Sequence, residues 1–310
     1  MIIDAHTHLL DTGHWPREWW DWVAQDWSGQ QPGRKASDIR DRIEPGLVDP
    51  GASRMVSRMD DAGVDASVVL PIDWGPDFTG TRPITDVVDQ ALSQAAAFPD
   101  RLIAFGGIDP RRDRAVELVG EWLDRGVRGL KLYPGCGWAP TTETAMDIYR
   151  LCEERRAPVL FHTGHPLPVL DSELSNPLHL KEIAAAFPDL PLWLGHAGAP
   201  VWWQEALEVA EAGPNVRLEM SVWVWDDSDE AAEIELARKV LEARDRVGVD
   251  RIIFGTDHVS GRKVRGDGFL AAVLGMFQRL PQHADDLGGS ISESELASIL
   301  GGTAAADLGL

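Results

Sequence analysis

The sequence predicts an α/β protein of the (β/α)8 TIM-barrel class, with residues 1–310 forming a single domain. Short apolar runs closed by Gly, Pro or Asp alternate eight times with amphipathic stretches, which indicates parallel strands that are each followed by a helix. The length suits one such barrel, and no repeat or low-complexity linker divides the chain. An open doubly wound sheet is the alternative, but it needs a glycine-rich fingerprint after the first strand. Residues 5–9, Ala-His-Thr-His-Leu, contain no glycine.

Each predicted strand is short and almost continuously apolar, as expected where both faces of a parallel sheet are buried. The strands span residues 2–6, 66–72, 102–108, 129–133, 159–162, 192–196, 216–220 and 251–255. The helices between them span residues 53–62, 85–98, 114–125, 142–155, 177–187, 204–212 and 231–247, and two more follow at 268–280 and 292–300. Ser292 and Glu295 form a capping box at the start of the last helix, and Gly301 is expected to end it.

The connection after the first strand is unusually long. It spans residues 9–51, whereas a βα connection usually takes about two to six residues. Five of the thirteen tryptophans lie in it: Trp15, Trp19, Trp20, Trp22 and Trp27. We interpret this Trp-rich insertion as an active-site lid or a subunit interface, the latter compatible with a homodimer; a small core of its own is the third interpretation. An aromatic lid would suit a planar or cyclic substrate, for which Trp138 is a candidate contact.

Composition and charge restrict the partners. The 50 acidic and 29 basic residues give a net charge of −21, which disfavours nucleic acid and anionic membranes. No apolar run reaches the roughly 18 residues of a membrane span and no leader precedes the first strand, so we expect a cytoplasmic protein acting on a small molecule. Cys136 and Cys152 are the only cysteines, which is compatible with a reducing compartment.

Histidines collect where predicted strands end, and the active sites of such barrels lie at the carboxyl ends of the strands. Six of the nine histidines lie there: His6, His8, His162, His165, His196 and His258. Alternation along the first strand places Asp4, His6 and His8 on one face, where two imidazoles can reach one metal ion. The alternative is two polar residues where a strand enters a loop. Asp257 follows the eighth strand, and its alternative role is a helix N-cap.

Segments spread over nearly the whole chain resemble the amidohydrolase superfamily. They are Asp4-Ala5-His6-Thr7-His8, residues 129–134, Phe161-His162-Thr163-Gly164, Gly195-His196-Ala197-Gly198, Gly255-Thr256-Asp257 and the ending at 299–305. Within the superfamily the sequence is most similar to the amidohydrolase-related branch that includes aminocarboxymuconate semialdehyde decarboxylase, resorcylate decarboxylase and several lactone hydrolases. Two features depart from that pattern: Val259, where the branch often has proline, and the Trp-rich first connection.

The resemblance implies one divalent metal ion, zinc by preference or else manganese, bound by four residues: His6, His8, His162 and Asp257. Imidazole and carboxylate around an open position are typical of catalytic zinc, and the bound water can ionise near neutral pH. His196 would orient or deprotonate that water, or Asp257 would take the proton. The alternative for His196 is a core histidine bonded to the backbone. His165 lies past the end of its strand and is a candidate substrate contact.

For three charged residues the sequence allows two roles each. Lys131 lies in mid-strand and should face the barrel mouth, because an ammonium buried under the helices would be costly. There it holds a substrate carboxylate, which we favour together with a single metal ion, or it is carboxylated and bridges two metal ions as in other branches of the superfamily. Glu219 either supports a ligand histidine or acts directly. Arg262 begins a basic cluster that either attracts an acidic substrate or is a solvated charge run.

The motifs leave two reactions in competition. Metal-dependent hydrolysis of a cyclic ester or amide, through a metal-activated water, is the leading prediction. Non-oxidative decarboxylation of an aromatic or muconate-type acid is the alternative, because it could use the same ligands. A third hypothesis is a barrel that has lost its metal and serves as a binding module, and the ligand-type residues at all the site positions argue against it.

Overall fold

The computed structural model describes residues 1–30, 33–78, 80–224, 229–259 and 268–310. Its strands are all parallel to their neighbours and form two sheets, in the orders β10-β1-β2-β3 and β4-β5-β6-β7-β8-β9. The strands are β1 (Ile3–His8), β2 (Ala66–Val69), β3 (Leu102–Ala104), β4 (Gly106–Gly107), β5 (Leu130–Leu132), β6 (Val159–His162), β7 (Leu192–Gly195), β8 (Val216–Glu219), β9 (Ile252–Ile253) and β10 (His258–Val259).

The two sheets join into the predicted barrel at both of their edges. At one joint β3 and β4 are two halves of the third barrel strand, interrupted at Phe105, whose N–H donates to the carbonyl oxygen of Val69 at 3.1 Å. At the other joint the N–H of Ala5 donates to the carbonyl oxygen of Phe254 at 3.1 Å, which connects β1 to the strand end after β9. Each of the eight predicted strands is present, so the (β/α)8 prediction is confirmed.

The helices agree with the predicted periodicity over most of the chain. They are α1 (Arg17–Gln30), α2 (Ala36–Leu47), α3 (Ser53–Ala62), α4 (Ile84–Ala97), α5 (Ala115–Asp124), α6 (Glu143–Arg155), α7 (Lys181–Ala186), α8 (Trp203–Ala212), α9 (Glu230–Val247), α10 (Phe269–Gln278), α11 (Leu280–Asp286), α12 (Glu293–Ala297) and α13 (Thr303–Leu308). The capping box of Ser292 and Glu295 is present. No helix in these described ranges combines the length and apolarity that crossing a membrane requires.

The long first connection is a helical hairpin and not an irregular loop. Its helices α1 and α2 are linked by an ion pair between Asp21 and Arg40 at 2.9 Å. The two ends of the hairpin pair through a bridge between Leu10 and Val48. The hairpin therefore returns to the same point of the barrel from which it departs.

The alternation expected along β1 is interrupted. The register between β1 and β2 shifts between Asp4 and Thr7, so the expected single face holding Asp4 together with the histidines is not continuous. Ile3 and Ala5 belong instead to a buried cluster with Leu160 and Trp193 from strands across the barrel. Only side chains that point into the barrel can share such contacts, so this cluster is the barrel interior.

The chain does not end its last helix at Gly301 as predicted. It passes through a π turn at Ser298–Gly302 and continues as α13. A Cβ atom at position 301 would collide with the carbonyl oxygen of Met1, so glycine is required there for close backbone approach and not as a helix stop.

Helix α13 covers the amino-terminal end of the barrel through Asp307. The indole N–H of Trp193, a side chain with 0% exposure, donates to Asp307 at 2.8 Å, and Arg217 donates to the same carboxylate at 3.0 Å. One carboxylate therefore satisfies two partly or fully buried donors.

We expect Asp307→Leu to lower the free energy of unfolding by about 1–3 kcal/mol, because it leaves the buried Trp193 N–H and Arg217 without their acceptor. Asp307→Asn is the matched control, since it keeps an oxygen acceptor and should lose less. Urea unfolding monitored by tryptophan fluorescence measures both. Equal stability of Asp307→Leu and the wild type would show that this contact does not hold α13 in place.

Candidate metal centre

Three donor groups converge at the carboxyl end of the barrel. His6 and His8 come from β1, and Asp257 follows β9; one ligand atom from each lies within 4.8 Å of the others. Nε2 of His8 lies 3.2 Å from Oδ1 of Asp257, and Nε2 of His6 lies 3.5 Å from the same oxygen. The closure of the barrel therefore brings together the first strand and the end of the eighth barrel strand at this point.

Hydrogen bonds on the far side of each ring fix which nitrogen of His6 and His8 is free. His8 donates its Nδ1 proton to the carbonyl oxygen of Leu70 at 2.8 Å, and His6 donates its Nδ1 proton to Glu219 at 2.7 Å. In the neutral rings Nε2 therefore carries a lone pair that faces the Asp257 carboxylate. Acceptor atoms at such distances repel each other unless a cation lies between them, so this donor set fits a bound metal ion.

Hydrogen bonds that start from Glu219 and Ser221 also determine the tautomers of His196 and His162. The Ser221 hydroxyl donates to Glu219 at 2.9 Å, so its oxygen accepts from Nδ1 of His196 at 2.8 Å. Nε2 of His196 must then accept from Nδ1 of His162, 3.2 Å away. This leaves the lone pair of His162 on Nε2, a buried atom without a hydrogen-bond partner within the described part of the chain. His162, the expected fourth ligand, thus has an acceptor nitrogen that none of the described residues occupies with a hydrogen bond.

Glu219 is the centre of this network. Its carboxylate accepts from the His6 ring and the Ser221 hydroxyl, and also from the backbone N–H groups of His196 at 3.1 Å and Ser221 at 2.8 Å. Burial raises the pKa of Glu219, and these donors oppose the rise. Of the two roles predicted for Glu219, the structure shows the contact with His6, a predicted ligand histidine.

Burial keeps the site histidines neutral. It lowers the pKa of His196 to about 3 and lowers the pKa values of His6 and His162 well below the ordinary range, and the neighbouring Lys131 charge adds to each effect. Neutral imidazole is the form that binds metals. Burial raises the pKa of Asp257, but its close contacts with His8 and His6 outweigh burial, so the pKa lies well below its usual value and the carboxylate is ionised.

Lys131 lies beside the donor atoms. It is 2% exposed, and its Nζ donates to Nε2 of His6 at 3.2 Å. Burial lowers the pKa of Lys131 to about 8, while Asp257 and Glu219 act in the opposite direction. The ammonium form therefore predominates at neutral pH, and the mid-strand lysine faces the barrel mouth as expected.

Four residues at this end of the barrel have left-handed backbone conformations: His196 (φ 68°), Ala197 (φ 43°), Val222 (φ 62°) and Asp257 (φ 55°). Residues other than glycine rarely adopt these angles, and a β-branched residue such as Val222 least of all. Such strain costs on the order of 1–3 kcal/mol and persists where surrounding contacts hold it. The backbone is thus bent at the points where it directs side chains into the site.

The donor groups line one end of a cavity of about 420 Å³. The helical hairpin covers this cavity, contributing Trp15, Trp19, Trp22 and Trp27 from its first half and Ile43 and Leu47 from α2. Of the interpretations of the Trp-rich connection, a lid agrees with this placement. Trp15 and Trp20 are also buried, at 6% and 1% exposure, so the lid has a small core of its own as well.

The residues predicted to contact the substrate lie in different parts of the structure. Lys131 and His165 both line the cavity, His165 with an exposed side chain. Trp138 is 3% exposed, packs in the hydrophobic core and is not among the described residues of the cavity wall. That placement gives no support to a substrate contact by Trp138. Arg262 lies outside the described residues.

Sequence reasoning missed two residues of the site, Ser221 and Tyr133. Ser221 lies two positions after Glu219, so the period of a strand could have placed both on one side. Tyr133 lies two positions after Lys131, and its ring stacks on His162 with centroids 4.0 Å apart. Once Lys131 is placed at the mouth, the two-residue period of a strand could have placed Tyr133 on the same side.

Comparisons with known proteins agree with this architecture. A family model described as amidohydrolase matches residues 3–310. No curated protein matches the chain by sequence. A solved amidohydrolase from Burkholderia multivorans with bound HEPES is similar, with a TM-score of 0.69 and 16% identity over 100% of this chain and 99% of that chain.

Two further solved structures carry more specific names. A dihydroxybenzoic acid decarboxylase from a Polaromonas species, with bound manganese and the inhibitor 2-nitroresorcinol, has a TM-score of 0.66 and 16% identity over 100% of this chain and 97% of that chain. A probable 2-pyrone-4,6-dicarboxylic acid hydrolase from Acinetobacter baumannii, with citric acid bound, has a TM-score of 0.62 and 13% identity over 100% and 99%. At these identities the likeness concerns the fold.

The family model covers the histidine pair of β1, the strand ends that carry the other site residues and the ending of the chain. The resemblance inferred from the motifs is thereby confirmed, and the chain belongs to the amidohydrolase family.

Proposed function

We propose that this protein is a metal-dependent, non-oxidative decarboxylase of an aromatic or muconate-type acid. The observation that carries the proposal is the position of Lys131, whose Nζ lies 3.2 Å from the donor atom of His6. Of the described residues that line the cavity, Lys131 is the only lysine or arginine. A substrate carboxylate attracted to this ammonium is therefore held beside the metal donors themselves.

The position of the cation discriminates between the two reactions. In a hydrolase, the metal ion coordinates the oxygen of the ester or amide carbonyl. A carboxylate that serves only for recognition is then held at a distance from the metal ion. Here the cation and the donor atoms share one end of the cavity. The bond next to the carboxylate is then the bond exposed to catalysis, which favours loss of CO2.

The proposed ligands are His6, His8, His162 and Asp257, whose lone pairs face one region; that of His6 also accepts from Lys131 in the absence of a metal ion. A divalent ion bound there, zinc or manganese, would supply Lewis-acid polarisation of a coordinated oxygen. His6 is aligned by Glu219, and His162 is aligned through His196 and Ser221. Such supporting partners orient ligand rings and fix their tautomers.

The remaining residues have roles set by their contacts. Lys131 binds and orients the departing carboxylate. Decarboxylation replaces the bond to CO2 with a C–H bond, so a proton must reach that carbon from water. Asp257, an ionised carboxylate with a quarter of its side chain exposed, is placed to take that proton from water and pass it to the carbon. The tryptophans of the lid exclude bulk water from the acid end of the substrate.

Hydrolysis of a cyclic ester or amide is the second candidate. The same donors would hold a water, and the partial exposure of Asp257 gives water access to the site. The hydrolase name of one similar structure supports this candidate to the same extent as the decarboxylase name of another supports the first.

Isotope analysis of the products separates the two reactions. We expect the manganese- or zinc-loaded protein, incubated in ¹⁸O-labelled water with aromatic acids, muconates and lactones, to release CO2 in step with product and to leave the product unlabelled. Heat-inactivated protein is the control. Product that carries ¹⁸O without CO2 release would replace the proposed reaction with hydrolysis.

Metal binding tests the ligand set. We expect His6→Ala and Asp257→Ala to weaken Mn²⁺ and Zn²⁺ binding by more than the ~10–100-fold typical of losing a supporting partner, and Ser221→Ala to fall within that range. Equilibrium dialysis followed by elemental analysis measures all three, with His14→Ala, in the lid, as the control. Stoichiometric metal in His6→Ala or Asp257→Ala contradicts the assignment.

Lys131→Met should raise KM for the acid about 10- to 100-fold, because the substrate loses a charge-assisted hydrogen bond of roughly 1.5–3 kcal/mol. Lys131→Arg keeps a cation and should lose less. Steady-state kinetics and metal content are measured together. Unchanged KM would remove Lys131 from substrate binding, and loss of metal would instead indicate a carboxylated lysine that bridges two ions.

A further inference from the structure

The lid presents a continuous apolar face to the cavity. Trp19, Trp22, Val23 and Trp27 of α1 all line it, and their spacing of three, four and eight positions places them on one side of the helix. Helix α2 adds Ile43 and Leu47, four positions apart on its own buried side. The two helices therefore form one wall of the cavity.

This wall retains exposed apolar surface. Trp22 is 37% exposed, and Trp19 and Trp27 are only partly buried. By contrast, Trp15 and Trp20 are almost completely buried in the core of the lid. Of the tryptophans of the connection, Trp19, Trp22 and Trp27 are therefore the ones that line the cavity with surface left for a ligand to cover.

A second aromatic surface surrounds the donor groups. Rings follow one another from His8 to Trp15 (5.5 Å between centroids), Trp74 (5.9 Å), Tyr133 (5.8 Å) and His162 (4.0 Å). All five residues line the cavity. The part of the substrate next to its carboxylate therefore lies among aromatic rings, which suits a flat group.

The cavity is larger than a one-ring acid requires. Its volume of about 420 Å³ lies in the range of roughly 300–1,000 Å³ that is typical of sites for drug-sized ligands. A benzoate-sized acid held at Lys131 would leave the lid wall uncovered. Apolar surface removed from water stabilises a complex in proportion to its area, so a longer apolar body gains affinity there.

We propose that the substrate is an extended aryl acid, with its carboxylate at Lys131 and the donor groups and a second ring or equivalent flat apolar body against Trp19, Trp22 and Trp27. This inference rests on the proposed function for the orientation of the acid, and it adds the size and shape of the rest of the molecule.

Calorimetric titration of the manganese-loaded protein with benzoate, 2-naphthoate and 4-phenylbenzoate tests this inference through binding alone. We expect the Kd of either two-ring acid to be at least about tenfold lower than that of benzoate, because the second ring covers the lid wall. Trp22→Ala and Trp27→Ala should each reduce this ratio at least about threefold while changing the Kd of benzoate less than about twofold.

Trp202→Ala is the matched control, because Trp202 is partly exposed but does not line the cavity, and it should keep the wild-type ratio. Thermal melts establish that each variant is folded. The Kd values of the wild-type protein for the three acids test the inference even if a variant does not fold. Equal Kd values for one- and two-ring acids in the wild type, or a ratio that survives both lid substitutions, overturn the inference.

The same acids, once titrated, are also assayed for CO2 release, and the two results together distinguish this inference from the proposed reaction. Two-ring acids that bind tightly through the lid but lose no CO2 would leave the substrate class in place and remove the decarboxylase assignment. One-ring acids that lose CO2 with no preference for larger homologues would do the opposite.

Discussion

The candidate site depends on one buried carboxylate, Glu219. Burying this carboxylate in the barrel interior without partners would cost free energy. Four hydrogen-bond donors from three different residues compensate that cost. Each of those donors belongs to a segment that carries the site: the ring of His6, the backbone of His196 and both groups of Ser221. Satisfying Glu219 therefore fixes the ends of β1, β7 and β8 relative to one another, and it sets the tautomers that leave lone pairs directed at the site.

The fold provides the strand ends, but the site needs more than strand ends. Regular parallel strands would direct alternate side chains along fixed lines, whereas His196, Val222 and Asp257 leave their strands in left-handed conformations. Asp4 shows how such a bend is held: its carboxylate accepts from the N–H of Thr256 at 2.9 Å and from the Thr256 hydroxyl at 2.6 Å, next to Asp257. Burial raises the pKa of Asp4 to about 7. The aspartate of the first motif thus supports the backbone that carries Asp257.

What the sequence could and could not predict follows from the range of the interactions involved. Strand and helix periodicity are local, so the eight strands were accessible from spacing, and the position of Lys131 followed from the cost of burying an ammonium under the helices. The bulge in β1, the continuation past Gly301 and the burial of Trp138 each depend on contacts between segments distant in the chain, which spacing does not contain. The helices of the lid were missed for a related reason: their tryptophans serve both a small core and the cavity, which blurs the single apolar stripe of an ordinary surface helix.

The lid and the metal donors form one unit through Trp15. Its ring contacts the edge of His8 at 5.5 Å between centroids, and it also packs against Trp20 in the core of the lid and against Trp74 beside Tyr133. Because these contacts share one buried ring, a change in the position of the lid changes the packing around a donor histidine. The apolar wall of the cavity and the polar end that holds the donor groups are therefore linked through the same residue. In this arrangement, a ligand that shifts the lid can change the geometry of the donor groups.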